Sequence, residues 1–274
     1  MRARFILGRK RVFDRDVSLT QQLNTRLESA GKIDYLRIRG NPGRTAGFLY
    51  LLLVLAGPLR VMIIPSLLFV PGNAIGTANN IAANELLFRL GIVSDLFSGT
   101  IGLFLVLALY QLFKGVDRRQ AVLMVFLGGP IVTTLYFVNA LNDVAALLLA
   151  QGTNFLSISL TQPQLDAFAM LFLRLHDYGN LVNGIFWGLW LFPLGILVYR
   201  SNFLPRILGI VLFINGSAYL AASLTGLLTP AIGSVVSSIV FPALLGEIVM
   251  TAWLLIKGVN VQSLNSPIRQ RASV

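Results

Sequence analysis

His176 is the one histidine of the chain, and it stands directly before Asp177 and two residues after Arg174. An imidazole next to a carboxylate can relay a proton or work as an acid–base pair. The same pair is also found as an interfacial histidine with a hydrogen-bonded ring, and the sequence leaves both readings open. Further ionisable groups interrupt otherwise apolar runs: Arg60, Arg89, Asp95 and Asp143, with Asn139 and Asn142 on the helical face of Asp143. Glu247 stands alone in the last apolar run. It suits either an ion- or proton-linked carboxylate or a hydrogen bond to a neighbouring helix.

Counting depth at ~1.5 Å per helical residue puts Arg60, Arg89, Asp95, Asp143, Arg174 and Asp177 at one level, together with His176 and the two asparagines. An ionisable side chain facing lipid costs roughly 2.5–3.5 kcal/mol on insertion scales. These groups are therefore expected to face one another, with at least two Arg–Asp pairs and Asp95–Arg174 as the first of them. The three- and four-residue steps Gly91, Asp95, Ser98, Gly99, Gly102 and Asp177, Asn180, Gly184, Gly188, Leu191 give each of two helices a polar, small-residue face. Two arrangements satisfy this pattern. One is a ligand cavity open to the outside, lined by Arg60, Arg89, Asp95, Asn139, Asn142, Asp143, Arg174, His176 and Asp177, with Glu247 deeper. The other is a set of interhelical pairs that only holds the helices together.

Several chemistries fail on residue counts. With one histidine and no cysteine, a multi-histidine zinc centre, a bis-histidine haem and any thiolate chemistry are out of reach. No HExxH, GxSxG, Walker or GxGxxG pattern occurs. No cofactor and no metal are expected on these grounds. Trp187, Trp190 and Trp253, with Tyr110 and Tyr199, suit packing or interfacial anchoring better than cofactor binding.

The elements that must position these groups are membrane helices. Hydrophobic residues make up 55% of the 274 residues and charged residues 12%, about half the charge of a soluble domain, and the mean hydropathy is +0.76. The apolar runs are about 20 residues long, enough for a ~30 Å hydrocarbon core. Six spans are expected, near 44–66, 86–113, 120–150, 178–199, 206–229 and 235–256. Gly57-Pro58, Gly128-Gly129-Pro130 and Pro242 loosen the first, third and sixth, and a polar connection, 71–85, joins the first two. The fold class is thus all-α, a polytopic bundle occupying 41–259, with a basic tail at 1–40 and a short tail at 260–274.

The net charge of +11 is concentrated at the N-terminus: 11 of the 22 Lys and Arg lie in residues 1–44 against four acids. Beside a membrane, such a segment fixes orientation and attracts anionic lipid headgroups rather than nucleic acid. The tail reads as cytoplasmic and partly disordered, with an interfacial helix as the alternative. Lys114/Arg118/Arg119, Arg200/Arg206 and Lys257/Arg269/Arg271 fall on alternate connections, while 67–85, 151–163 and 230–234 carry no Lys or Arg. By the positive-inside rule, both termini are cytoplasmic.

The stretches ANNIAANELLFRLGIVSDL, LHDYGNLVNGIFWGLWLFPLGILVYRSNFLPRILG and GEIVMTAWLLIKGV resemble an uncharacterised bacterial membrane family, domain of unknown function 4386, over about 41–259. The resemblance implies a polytopic protein of the bacterial cytoplasmic membrane with no assigned activity, and carries no site residues with it. Three functions fit the residues: a transporter or receptor with an outward polar pocket, a membrane-embedded enzyme using His176 and Asp177, or a structural subunit working as a homo-oligomer or with a partner.

Overall fold

A computed structural model of the protein describes residues 41–152 and 159–259, and Gln22 on its own. The chain divides into two units, 1–42 and 43–274. The tails expected at 1–40, Gln22 apart, and 260–274, and residues 153–158 of the 151–163 connection, lie outside the described residues.

All described elements are helical: α1 Pro42–Pro58, a π-helical turn Leu59–Ile63, α2 Ile64–Leu68, α3 Ala74–Ala83, α4 Glu85–Phe113, α5 Arg118–Gly128, α6 Pro130–Ala150, α7 Gln162–Leu189, α8 Leu191–Arg200, α9 Arg206–Leu228, α10 Pro230–Leu244 and α11 Gly246–Ile256. They include five helical stretches long and apolar enough to cross a membrane: Pro42–Leu68, Glu85–Phe113, Arg118–Ala150, Gln162–Arg200 and Arg206–Leu228. The sixth expected span differs. The run 235–256 is broken at Leu245 between α10 and α11, each shorter than 18 residues. Pro242 loosens the helix three residues before the break, and the turn there closes through a Leu245 N–H donating to the Pro242 carbonyl at 3.3 Å.

The other expected interruptions shape the bundle without ending its spans. Pro58 cannot donate to Val54, and the helix widens into the π turn that carries Arg60. Gly129 adopts φ −102°, ψ −99° between α5 and α6, where a Cβ would meet the Val125 carbonyl oxygen at 2.6 Å. The polar connection 71–85 is itself largely helical: α3 is capped by Asn73, whose side chain accepts from the Gly76 N–H at 2.8 Å. The α3 helix packs on α6 and α7, burying Ala78 and Ile81 against Ile64, Ala146, Leu147 and Leu173.

Two larger apolar cores result among the described residues, beside a small cluster of Leu149, Leu165 and Ala169. One, at the end carrying α3, joins α2, α3, α4, α6 and α7. The other joins α1, α4, α5, α8, α9 and α11 around Tyr50, Leu109, Trp190, Leu197 and Leu254. At that second end Arg200 Nη1 pairs with Asp117 Oδ2 at 2.8 Å, tying the α8–α9 connection to the α4–α5 turn. There too Arg44, at the start of α1, donates to the Ile256 carbonyl at the close of α11. The first helix therefore begins where the last one finishes.

Helices α7 and α8 meet α9 along a glycine seam. A Cβ on Gly188 would lie 2.7 Å from the Gly216 carbonyl oxygen, and one on Gly209 would lie 2.7 Å from that of Gly195. Backbones this close are possible only without side chains between them. Replacing Gly188 by leucine is expected to abolish the monodisperse peak of the detergent-extracted protein in size-exclusion chromatography. Gly102→Ala should be tolerated, because a Cβ there meets nothing within 4 Å.

Candidate functional site

The polar groups of four spans meet inside the α3-end core. Pro58 and the π turn aim Arg60 inward, and Gly91 of α4 makes room for it: a Cβ at 91 would stand 3.1 Å from the Arg60 Cδ. The guanidinium grips Asp143 of α6 in a fork, Nε to Oδ2 at 2.6 Å and Nη2 to Oδ1 at 2.5 Å. The rings of Phe69 and Phe88 flank it, with centroids 5.5 and 5.8 Å from Cζ. His176 of α7 lies between two carboxylates, with Nδ1 3.2 Å from Asp143 Oδ2 and Nε2 3.6 Å from Asp95 Oδ2. Arg60, Asp143 and His176 are 0% exposed and Asp95 is 1% exposed.

Asparagines hold the α7 side of this centre. Asn139 Nδ2 donates to the His176 carbonyl at 3.0 Å and to Asn180 Oδ1 at 3.1 Å, and Asn142 Nδ2 donates to Asn139 Oδ1 at 3.0 Å. This needs Gly179, because a Cβ there would collide with the Asn139 amide. Satisfaction is uneven. The Arg60–Asp143 fork is complete, whereas both oxygens of Asp95, both ring nitrogens of His176 and the Ser98 hydroxyl have no hydrogen-bond partner among the described residues.

Of the expected layer, Arg60, Asp95, Asn139, Asn142, Asp143 and His176 come together, and Arg89, Arg174 and Asp177 do not. Arg89 is exposed and pairs with Glu85 one turn before it, Nε to Oε1 at 2.6 Å. Both residues line an open surface depression of about 690 Å³ formed by 82–87, 89 and 90. Arg174 and Asp177 are exposed on α7. The pairing expected between Asp95 and Arg174 is not made, and the six named charges form one Arg–Asp salt bridge rather than two. The cause is rotational. The face of α7 that points inward runs His176, Gly179/Asn180, Asn183/Gly184, and Asp177 lies ~100° away from it. The centre is also enclosed in this conformation rather than open at a mouth.

Glu247 belongs to a second, separate polar group. Its carboxylate accepts from the Tyr50 hydroxyl at 2.5 Å, and Tyr219 lies against it. Tyr50 and Tyr219 have no marker in sequence; a tyrosine one helix away from an isolated glutamate looks like any other apolar-run aromatic. Asp95, Asp143 and His176 each present one donor atom within 4.8 Å of the others, a grouping that a count of histidines and cysteines cannot find. Trp190 packs as expected, buried against Tyr50 with ring centroids 6.1 Å apart.

The family profile described as Domain of unknown function (DUF4386) matches residues 45–258, which is most of the chain. The architecture is therefore that of a multi-helix protein with membrane-compatible apolar spans. The protein belongs to the DUF4386 family. An uncharacterized protein of Archaeoglobus fulgidus is 34% identical over 96 residues, covering 33% of this chain and 56% of that protein; the chain thus spans little more than half the length of this relative. No solved structure matches.

A buried ion pair resists the loss of one member more than the loss of both. Asp143→Ala, which strands Arg60, is expected to cost about 3–5 kcal/mol. The double variant Arg60→Met/Asp143→Leu should cost less than Asp143→Ala alone. Unfolding midpoints of the detergent-purified variants check the order. Equal or additive losses would show that the fork does not act as a unit.

Proposed function

We propose that the protein is an integral membrane protein of six spans, with both termini on the cytoplasmic side, that binds a small ligand or ion at the Asp95–Asp143–His176 centre in a transporter- or receptor-type role. The observation that carries the binding role is that Asp95 and His176, in full burial, make no side-chain hydrogen bond among the described residues. A bundle built only for stability pairs such groups or replaces them, because a buried polar atom without a partner costs about 1–3 kcal/mol, more when charged.

The topology draws support from the hydrogen bond between Arg44 and Ile256. A chain that enters and leaves a bundle at one end crosses it an even number of times. Five long stretches therefore call for a sixth crossing, which α10 and α11 together supply. The basic groups Arg44, Arg119 and Arg200 lie at that same end, the side favoured for cations in the cytoplasmic membrane. Such an arrangement is that of a bacterial cytoplasmic-membrane protein whose basic tail, 1–40, lies beside anionic lipid headgroups.

A catalytic reading would have to use His176 with Asp95 or Asp143, since Asp177 is exposed on another face. Enclosure favours binding over turnover of a lipid-sized substrate. Reporter fusions near Ala150 and Gly233 are expected to read as extracytoplasmic; cytoplasmic readings would overturn the six-span topology. In an unbiased thermal-shift search on detergent-purified protein, a ligand should stabilise the wild type and Asp177→Asn but not Asp95→Asn. If nothing stabilises the wild type in an Asp95-dependent way, the binding role fails.

A further inference from the structure

Resting on that binding role, and naming its ligand, we propose that Asp95, Asp143 and His176 form a site for one first-row divalent metal ion of the zinc class. One oxygen from each carboxylate and one imidazole nitrogen supply the ligands. Mixed nitrogen and carboxylate sets of this size are a standard zinc environment, with the remaining position left to water or a substrate.

The geometry suits an ion of this size. Metal–ligand bonds of about 2.0–2.2 Å put neighbouring donors about 3.4 Å apart in a tetrahedral site. The shortest contacts run from opposite ring nitrogens, Nδ1 to Asp143 Oδ2 at 3.2 Å and Nε2 to Asp95 Oδ2 at 3.6 Å. One donor atom from each residue lies within 4.8 Å of the others, so the donors draw together by about an ångström around an ion held at one of the two nitrogens. The second observation is independent of this spacing. Neither Asp95 oxygen and neither His176 nitrogen makes a hydrogen bond among the described residues, although both side chains are fully enclosed and the ring lies between the two carboxylates. Ser98, one turn further along the face of Asp95, adds a hydroxyl that is equally buried and unpartnered.

Arg60 is not an obstacle. Its fork takes one in-plane lone pair from each Asp143 oxygen, and a carboxylate has about four such acceptor sites. By holding Asp143 in one orientation, Arg60 does for it what outer partners do for metal ligands generally. The charge count points the same way. With a neutral imidazole, Arg60, Asp95 and Asp143 sum to −1, and the charge left over is that of Asp95, the carboxylate without a cation in a salt bridge to it among the described residues. A divalent ion supplies its counter-charge. The ring nitrogen not on the metal then faces one of the two ligating carboxylates, which holds the orientation of the ring as a carboxylate beside a ligating histidine does. Asn139 fixes the α7 backbone at His176, so the ring is held before any ion arrives.

The test uses the full chain, purified in detergent, stripped with a chelator and titrated with Co²⁺ alone. Wild type is expected to take up one Co²⁺ per chain, measured by elemental analysis, with visible d–d bands that added Zn²⁺ abolishes. Asp95→Asn and His176→Gln should weaken uptake at least tenfold while eluting as folded protein in size exclusion, and Asp177→Asn should bind as wild type does. Absence of stoichiometric uptake by wild type overturns the metal site, as does equal uptake by folded Asp95→Asn and His176→Gln. If metal fails while another ligand stabilises the protein through Asp95, the metal falls and the binding centre stands; if neither acts, both fall.

Discussion

A guanidinium stays charged in any protein environment, and hydrocarbon offers it no water. Once Arg60 points into the bundle, a carboxylate has to meet it there, and the forked contact with Asp143 is the geometry that satisfies most donors at once. Much of the α3 end follows from this one requirement. Asp143 must come from α6 at the depth of the π turn, Gly91 must leave α4 without a side chain where Arg60 passes, and Phe69 and Phe88 must cover the remaining faces of the cation. Apolar packing of α3 over Ile64 and Leu173 then closes the region.

The chain reaches this arrangement by breaking helices where breaks cost least. Pro58 releases one backbone bond and rotates Arg60 inward, Gly129 turns α5 into α6 without a side chain to clash, and α10 gives way to α11 at Leu245. Each break sits beside a close contact. Gly128 seats the Trp190 ring, with a Cβ contact that would be 2.9 Å, and Gly246 lets α11 approach Val211 and Asn215 of α9. Straight helices of the same composition would bury the same apolar area but leave Arg60 and Asp143 on whatever faces the periodicity dictated.

What could be read from sequence was whatever depends on periodicity and depth. The face Gly91, Asp95, Ser98, Gly99, Gly102 is buried throughout, and Asn139 and Asp143 turn inward on their own helix. The family likeness over most of the chain was legible too, in long motifs. Depth alone could not decide rotation. Arg174, His176 and Asp177 occupy one level, yet only His176 faces the centre, because neighbouring residues differ by ~100° around the axis. Partner choice was less legible still. Arg89 pairs with Glu85 at the preceding turn, a local contact that asks nothing of the other helices. The α3 helix was hidden because its alanines, glycine and asparagines read as loop composition, while its Asn73 cap and its contacts with α6 and α7 make it a helix.

The two polar groups of the bundle solve the same solvation problem in different ways. At the α3 end, charge is met by charge, and the surplus remains on Asp95. At Glu247 a carboxyl is met by the phenol of Tyr50, with Tyr219 alongside, and no cation is near enough to form a salt bridge among the described residues. Between them runs an aromatic series: Tyr136 against Trp187 and Trp187 against Tyr219, each with ring centroids 5.8 Å apart. Tyr136 also packs against Gly99 on the Asp95 helix, and Tyr219 against Gly188. Rings in contact cannot shift one at a time at interior packing density. The series thus reaches from the Asp95 helix, at Gly99, to the phenol beside Glu247. The glycines along this path are what allow the rings to lie so close, so the small-residue faces that bring the helices together also connect the two polar groups.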